Sequence, residues 1–148
     1  MTAVTRVALL AAFAALACTG PVGPFPDGHL SGQVVTAPSD GWPFADTRIV
    51  ELEADPAQPH SVNVHFVTEG SHLWVATVLG DSSSWAARAL ADGRVRVRAG
   101  HSVYELFAVR VTDGAEIVRV AKLYREKYVI SPEIDESQST LVFRLDPR

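Results

Sequence analysis

The sequence predicts a small, mainly antiparallel β-barrel of about six to seven strands with two helices, an α+β fold. The first reason is that from Leu30 onward most segments are short and alternate apolar with polar residues, a pattern typical of strands with one buried face. The second is that strands this short leave unpaired edges, which closure into a barrel removes. Its 148 residues, 47% hydrophobic and 20% charged, are typical of one folded domain.

Four candidate strands come first, and the clearest alternation lies in the last three. LSGQVV is the weakest candidate, whereas TRIVELEA places Val50 and Leu52 opposite the glutamates. SVNVHFV and HLWVATV follow, separated by the turn residues Glu69-Gly70, which predicts a hairpin. The apolar face of this hairpin comprises Val62, Val64, Phe66, Leu73 and Val75 together with Thr77.

Next, DSSSWAARALADG changes to helical spacing. We expect Asp81 or one of the serines to cap this short helix and Gly93 to end it. Its predicted buried face comprises Trp85, Ala86, Ala89 and Leu90.

The remainder contains a second hairpin, a longer helix and a closing strand. RVRVRA alternates three arginines with two valines and turns at Ala99-Gly100 into HSVYELFAVRVT. Asp113 and Glu116 resemble a capping box at a helix start. That helix carries an apolar stripe, and TLVFRL then completes the fold; the stripe comprises Ile117, Val120, Ala121, Tyr124 and Tyr128.

The N-terminus resembles an export signal, predicted over residues 1–17. Arg6 precedes an apolar run from Val7 to Ala17, which has 11 residues. A spanning helix needs about 20 apolar residues, so the run is too short to be one.

Cys18, the only cysteine, follows this run directly and leaves three interpretations open. Ala15-Leu16-Ala17 fits an ordinary signal-peptidase site, which makes the protein secreted. The same residues followed by Cys18 resemble a bacterial lipobox, in which the cysteine is lipidated and becomes the mature N-terminus. The third interpretation is a buried helix with an incidental cysteine. We favour lipidation, since secretion would leave an unpaired, reactive thiol.

The segment after Cys18 is broken by glycines and prolines, and it predicts a tether over residues 18–29 that precedes a domain over residues 30–148. Cleavage before Cys18 leaves 148 − 17 = 131 residues. The expected location is the cell envelope, facing outside the cytoplasm and bound to the membrane through Cys18.

The middle of the chain resembles the split β-barrel superfamily, which includes the pyridoxamine 5′-phosphate oxidase-like and the deazaflavin-dependent nitroreductase-like proteins. The resemblance covers residues 47–128 and lies in the order strand, glycine turn, strand, short helix with an early aromatic residue, LADGRVRVR, and a strand running into VRVTD. It implies a homodimer with FMN or a deazaflavin bound at the dimer interface.

Carried over residue by residue, the resemblance implies a cofactor site along two strands and at the start of the short helix, where free N–H groups attract phosphate. The implied cofactor-binding residues are Asn63, His65, Thr77, Ser82, Ser83, Ser84, Trp85 and Arg88. Two alternatives stay open: the serines cap the helix, and Trp85 packs in the core. The arginines of RVRVRA are interpreted as a solvated strand face, with an anion site as the alternative.

The sequence gives little indication of other binding or catalytic chemistry. The net charge of −4 gives no reason to expect nucleic-acid binding. The five histidines lack metal-ligand spacing, and neither a nucleophile elbow nor a phosphate loop occurs. No Lys or Arg lies between Arg48 and Arg88, although a flavin phosphate needs charge-assisted hydrogen bonds. We therefore expect a ligand-binding or interaction module that has lost its cofactor, with a flavin- or deazaflavin-dependent oxidoreductase as the alternative.

Overall fold

A computed structural model describes residues 20–148 of the chain. The predicted signal peptide and Cys18 lie outside the described residues. The elements, in order, are β1 (Gln33–Val35), β2 (Ile49–Ala54), β3 (His60–Glu69), β4 (His72–Thr77), a 3₁₀ turn (Gly80–Ser82), α1 (Ser84–Ala91), β5 (Arg94–Ala99), β6 (Ser102–Arg110), α2 (Gly114–Lys127) and β7 (Leu141–Pro147). This is the element order that the periodicity predicts.

Six of the strands form a closed barrel. The order around it is β6-β5-β2-β3-β4-β7, and pairing between β7 and β6 closes it. Every pair within the barrel is antiparallel, whereas β1 lies outside it and pairs with β6 in parallel. The predicted small antiparallel barrel is confirmed, with one extra strand.

The barrel interior is filled by the inward-facing residues of all six strands. The inward faces predicted for β2, β3 and β4 are confirmed, because the apolar residues of those faces belong to this cluster or pack against it. α1 lies across one end of the barrel and inserts Trp85, whose ring packs 5.6 Å from that of Phe143. At the other end Trp42 packs against Tyr104 and donates from Nε1 to the carbonyl of Ser71. A ligand must therefore bind outside the barrel.

One residue of the predicted buried face of α1 is exposed. Leu90, predicted to face inward, is 44% exposed, because Trp85, Ala86 and Ala89 already cover the end of the barrel. The helix ends at Ala91 with Asp92 as its C-terminal cap, and the predicted stop residue Gly93 follows directly.

The second helix, α2, packs on the outer face of β3, β4 and β7 and forms a second apolar cluster. Asp113 caps it, accepting a hydrogen bond from the backbone N–H of Glu116 at 3.0 Å. The predicted stripe is buried, although Tyr128 lies one residue beyond the helix as its cap. Neither helix within residues 20–148 is long and apolar enough to cross a membrane.

Residues 20–31, which we call the strap, cross the outer face of β3, β2 and β5. Asp27 pairs with Ser61 of β3 through two backbone hydrogen bonds, and Leu30 is completely buried. The Arg98 guanidinium donates to the carbonyl of Ser31 at 2.9 Å. Most of the segment predicted as a tether thus lies against the barrel from Gly20 onward; its role as a tether stays a prediction.

Candidate functional site

The start of α1 gathers five of the residues that the resemblance implies, and one of them, Trp85, packs in the barrel core. Ser83 is the N-cap but makes no side-chain capping bond, and Ser82 lies exposed in the preceding 3₁₀ turn. The hydroxyl of Ser84 lies 2.9 Å from Nε2 of His60. Arg88, one turn further on, donates to the carbonyl of Ser84 at 3.2 Å.

The electrostatics of this helix start favour neither an anion nor a cation. Arg88 lies beside Asp55, with 3.9 Å between its Nε and the carboxylate, so that its charge is opposed. Burial, followed by the charge of Arg88, lowers the pKa of His60, which keeps this imidazole neutral at pH 7. One opposed arginine is little charge for a phosphate dianion, which prefers several charge-assisted donors.

The remaining implied residues lie elsewhere, in structural contacts. The side-chain amide of Asn63 donates to the carbonyl of Gly23 in the strap at 2.9 Å. The His65 ring packs against that of Tyr128, with centroids 4.6 Å apart. Thr77 accepts a hydrogen bond from the N–H of Leu79.

The outer face of β3 and β4 is also covered over part of its length. Val67 of β3 and Trp74 of β4 are buried under α2. A planar cofactor therefore has no open strand pair here. The structure brings the serines and Arg88 together and leaves Asn63, His65 and Thr77 apart from them.

The arginines of β5 form a charge ladder with β2, and their interpretation as a solvated face is wrong for two of the three. The register pairs Glu51 with Arg98 and Glu53 with Arg96. Arg98 binds Glu51 through two short hydrogen bonds, at 2.5 and 2.7 Å. The side chains of Arg96 and Arg98 are only 14% and 15% exposed because the strap covers them.

Glu53 is the most deeply buried charged residue of the ladder. It is 3% exposed and accepts from the N–H of Leu30 and from Nδ1 of His29. Its carboxylate lies 3.5 Å from NH1 of Arg96, which in turn donates to the carbonyl of Leu30. Two side chains of the ladder thus bind the strap backbone at Leu30, Glu53 at its N–H and Arg96 at its carbonyl.

A cleft of about 300 Å³ opens beside this ladder. Its polar lining comprises His29, Glu53, Arg94, Arg96, Glu105 and Arg148. Arg94 is held by Asp92 at 2.6 Å and Arg148 by Glu105 at 3.1 Å. Since Arg96 lies beside Glu53, each of the three arginines of the lining faces a carboxylate, and none is left unpaired for an anion.

A second cleft, of about 520 Å³, lies at the start of α2, and sequence reasoning missed it. The indole of Trp74 donates to Glu116 at 2.8 Å, and Arg144 binds the same carboxylate at 3.2 Å. The ring of His72 stacks on Trp74 with centroids 5.4 Å apart. The sequence marked Glu116 only as a capping residue, because its partners are more than twenty residues away along the chain.

No group of three or more His, Cys, Asp or Glu side chains within residues 20–148 is placed to hold a metal ion. The residues at the start of α1 do not fit a flavin phosphate either, since their single guanidinium faces Asp55. We derive no chemical step through a cofactor there.

A closed six-stranded barrel with one helix over its end and another on its side defines a split-barrel protein, as the sequence resemblance implied. Within that class the chain belongs to the DUF2255 family, described as uncharacterized proteins conserved in bacteria, whose family model matches residues 44–142. No curated protein matches the chain.

Solved structures with this fold include flavin-related and uncharacterised proteins. A conserved hypothetical protein from Mycobacterium tuberculosis has a TM-score of 0.57 at 19% identity, over 77% of this chain and 86% of that one. A putative pyridoxamine 5′-phosphate oxidase from Listeria innocua has a TM-score of 0.54 at 16% identity, over 69% and 85%. An FAD-binding protein from Mesorhizobium loti has a TM-score of 0.51 at 18% identity, over 71% and 84%. At these identities the similarity concerns the fold alone.

Proposed function

We propose that this chain is a lipid-anchored protein of the bacterial cell envelope whose split barrel is a non-catalytic interaction module. The non-catalytic part of this proposal is supported by what the implied cofactor residues contact in the fold. Asn63 holds the strap, His65 packs on Tyr128, and Ser84 is bonded to His60. The one arginine of the helix start faces a carboxylate. These side chains are committed to the fold and not to a ligand.

The lipid anchor is supported by the sequence around Cys18. An apolar run of 11 residues preceded by Arg6 has the length of a signal h-region, and Cys18 follows Ala15-Leu16-Ala17 directly. Two acyl chains suffice for stable membrane anchoring. Export places the barrel on the outer side of the cytoplasmic membrane.

The cofactor part is tested by absorption and titration. We expect purified protein to be colourless and to take up neither FMN, FAD nor a deazaflavin at micromolar concentration. The FAD-binding relative from Mesorhizobium loti, titrated in parallel, serves as the positive control. A yellow protein with one flavin per chain would overturn this part of the proposal.

The anchor is tested by mass spectrometry of protein extracted from membranes. The expected mass is that of residues 18–148 plus acyl groups, and Cys18→Ser is expected to lose the acyl mass. An unmodified Cys18 at the N-terminus of a secreted protein would show ordinary signal-peptidase cleavage instead.

The alternative function is a flavin- or deazaflavin-dependent oxidoreductase acting on a small molecule. Two structural neighbours of the chain are described as a putative pyridoxamine 5′-phosphate oxidase and an FAD-binding protein, and these descriptions favour the oxidoreductase. It requires a second copy of the chain to complete the site. Phe107 and Val109, which are 43% and 40% exposed on the outer face of β6, offer an apolar surface for such a homodimer.

A further inference from the structure

Two large apolar side chains are exposed at the N-terminal end of the described structure. Val22 is 70% exposed and Phe25 is 71% exposed. Both belong to the sequence Pro21-Val22-Gly23-Pro24-Phe25-Pro26, which makes a tight turn at the start of the strap.

This turn is rigidly held on the barrel. The N–H of each of Val22 and Phe25 donates to the carbonyl of the other, at 3.2 and 3.0 Å. Asn63 fixes the tip of the turn through the carbonyl of Gly23. The N–H of Gly20 donates to the Asp27 carboxylate at 2.6 Å, which closes the base of the turn. The two apolar side chains are therefore presented in one fixed arrangement, and little conformational entropy is left to lose on binding.

The backbone of the turn is also suited to a medium poor in water. Pro21, Pro24 and Pro26 carry no amide hydrogen, and the N–H groups of Val22 and Phe25 are already bonded to each other. Burying unsatisfied backbone donors in lipid is costly. Within residues 21–26 only the N–H of Gly23 remains for water or a lipid headgroup, so the turn enters the membrane interface at low cost.

The position of the turn identifies what covers it. Val22 lies four residues after Cys18, so the Cα atoms of the two residues are at most about 14 Å apart. No charged residue occurs from Val7 to Pro26. A lipidated Cys18 at the bilayer surface therefore holds this uncharged apolar turn against the same surface.

A further exposed apolar residue lies beside the support of the turn. Ile49 of β2 is 51% exposed and pairs with His65, two residues along β3 from Asn63. It is an exposed apolar residue on the same outer face of the barrel as the turn.

We propose that Val22 and Phe25 insert into the lipid interface next to Cys18 and dock the barrel on the membrane in a fixed orientation. The inference rests on the proposed lipid anchor and goes beyond it. A lipid-modified cysteine on a flexible linker would hold the barrel near the membrane but would not fix its orientation. The partner surface is the lipid bilayer itself, with a second protein surface as the competing occupant.

The test uses the full chain, processed in a bacterial host and reconstituted into vesicles of phosphatidylethanolamine and phosphatidylglycerol. Lipidation blocks the thiol of Cys18, so an introduced cysteine is the only free thiol and takes an environment-sensitive fluorophore. Phe25→Cys reports on the turn. Val118→Cys is the matched control: Val118 is 60% exposed, and its neighbour Arg119 is paired with Glu69 at the other end of β3 from Asn63.

We expect the fluorophore at residue 25 to emit at shorter wavelength in vesicles and to be quenched about twofold by nitroxide-bearing lipids, as for a side chain at the headgroup boundary. The fluorophore at residue 118 is expected to be unaffected. In a second arm, a label on Ile49→Cys is expected to lose its quenching when Val22→Ser and Phe25→Ser are added, with the unfolding midpoint unchanged because both side chains are exposed.

The outcomes separate the two proposals. Membrane-bound, acylated protein whose residue 25 is quenched no more than residue 118 overturns the docking and leaves the anchor. A wavelength shift that nitroxide lipids do not quench means that a protein surface covers the turn, which also overturns the docking. Protein without acyl mass overturns the anchor and, with it, the docking.

Discussion

At the scale of single residues, the hydroxyl of Tyr128 lies where the ladder between β2 and β3 ends. The last backbone pair of that ladder is Ile49 with His65, so Arg48 and Phe66 would form the next pair. Instead, the Tyr128 hydroxyl accepts from the N–H of Phe66 at 3.0 Å and reaches the carbonyls of Phe66 at 2.7 Å and Arg48 at 2.8 Å. Burial raises the pKa of this hydroxyl. A side chain from beyond α2 thus substitutes for a missing strand partner.

Tyr128→Phe is expected to lower the free energy of unfolding by about 1–3 kcal/mol, because it leaves buried backbone groups of β3 without a partner. Tyr104→Phe is the matched control: Tyr104 is equally buried at 5% exposed, but its ring serves the packing around Trp42 and Phe44. Equilibrium denaturation of the two variants measures both effects. Equal losses in the two variants would contradict the role of the Tyr128 hydroxyl.

Lys127 is the second residue with an unusual environment. Its ammonium lies 3.5 Å from the centre of the Phe66 ring and donates to the carbonyl of Ala45 at 2.9 Å. Burial lowers the pKa of Lys127 to about 8, against an ordinary value of 10.5. Between these two pH values the unfolded chain binds more protons than the folded one, so this group makes stability rise with pH across that window.

We therefore expect amine acylation of Lys127 to be half-maximal near pH 8. Peptide mass spectrometry after brief labelling measures it, and Lys122, the only other lysine of the chain, corrects for reagent loss. Half-maximal labelling near pH 10.5 would contradict the proposed desolvation.

At the scale of elements, the strap is held by the charge ladder and not by regular secondary structure. Its anchor point is Leu30, which is completely buried and whose N–H and carbonyl are bonded by Glu53 and Arg96. A buried carboxylate is stable only with such partners, so the ladder and the strap depend on each other. Loss of one partner is expected to loosen both.

Glu53→Gln is expected to destabilise the protein by about 1–3 kcal/mol, since it weakens charged hydrogen bonds in a buried site. We also expect faster amide hydrogen exchange at Leu30 and faster proteolysis within residues 20–31. Glu105→Gln is the control, because Glu105 is 45% exposed and lies 3.9 Å from Arg96. Unchanged exchange at Leu30 in Glu53→Gln would show that apolar burial alone holds the strap.

At the scale of the whole molecule, apolar side chains fill the interior of the closed barrel, and the two clefts described above lie on the outside. The two apolar clusters, one inside the barrel and one under α2, leave Phe107 and Val109 uncovered on the outer face of β6. Side chains of this size are the kind that a second copy covers in a dimer.

If the chain is a homodimer through β6, Phe107→Ser combined with Val109→Ser is expected to shift it to monomer in analytical ultracentrifugation. The monomer is expected to lose about 1–2 kcal/mol of its free energy of unfolding and to stay folded, because both side chains are more than half buried within one chain. Leu79→Ser, at a residue 65% exposed and away from β6, is the control and should leave the oligomeric state unchanged. A monomeric parent protein would rule out this interface.

The order of elements, the inward faces of the strands and the buried stripe of α2 follow from the sequence alone, whereas Leu90 of α1 does not lie where its spacing predicts. Alternation in β2, β3, β4, β5 and β7 and the stripe of α2 report burial directly, because each side chain's face follows from its position in the element. The class of fold followed from that order.

Which polar residues meet depends on the packing of distant parts of the chain. The partners of Glu53, Glu116 and Tyr128 lie from 23 to 80 residues away along the chain, so no local pattern brings them together. The arginines of β5 alternate as a solvent-facing strand does, yet the strap buries two of them. The candidate cofactor residues were matched by position in the fold, and the structure shows that most of them hold other parts of it. Periodicity specifies which face is covered but not what covers it, because the covering group comes from a distant part of the chain.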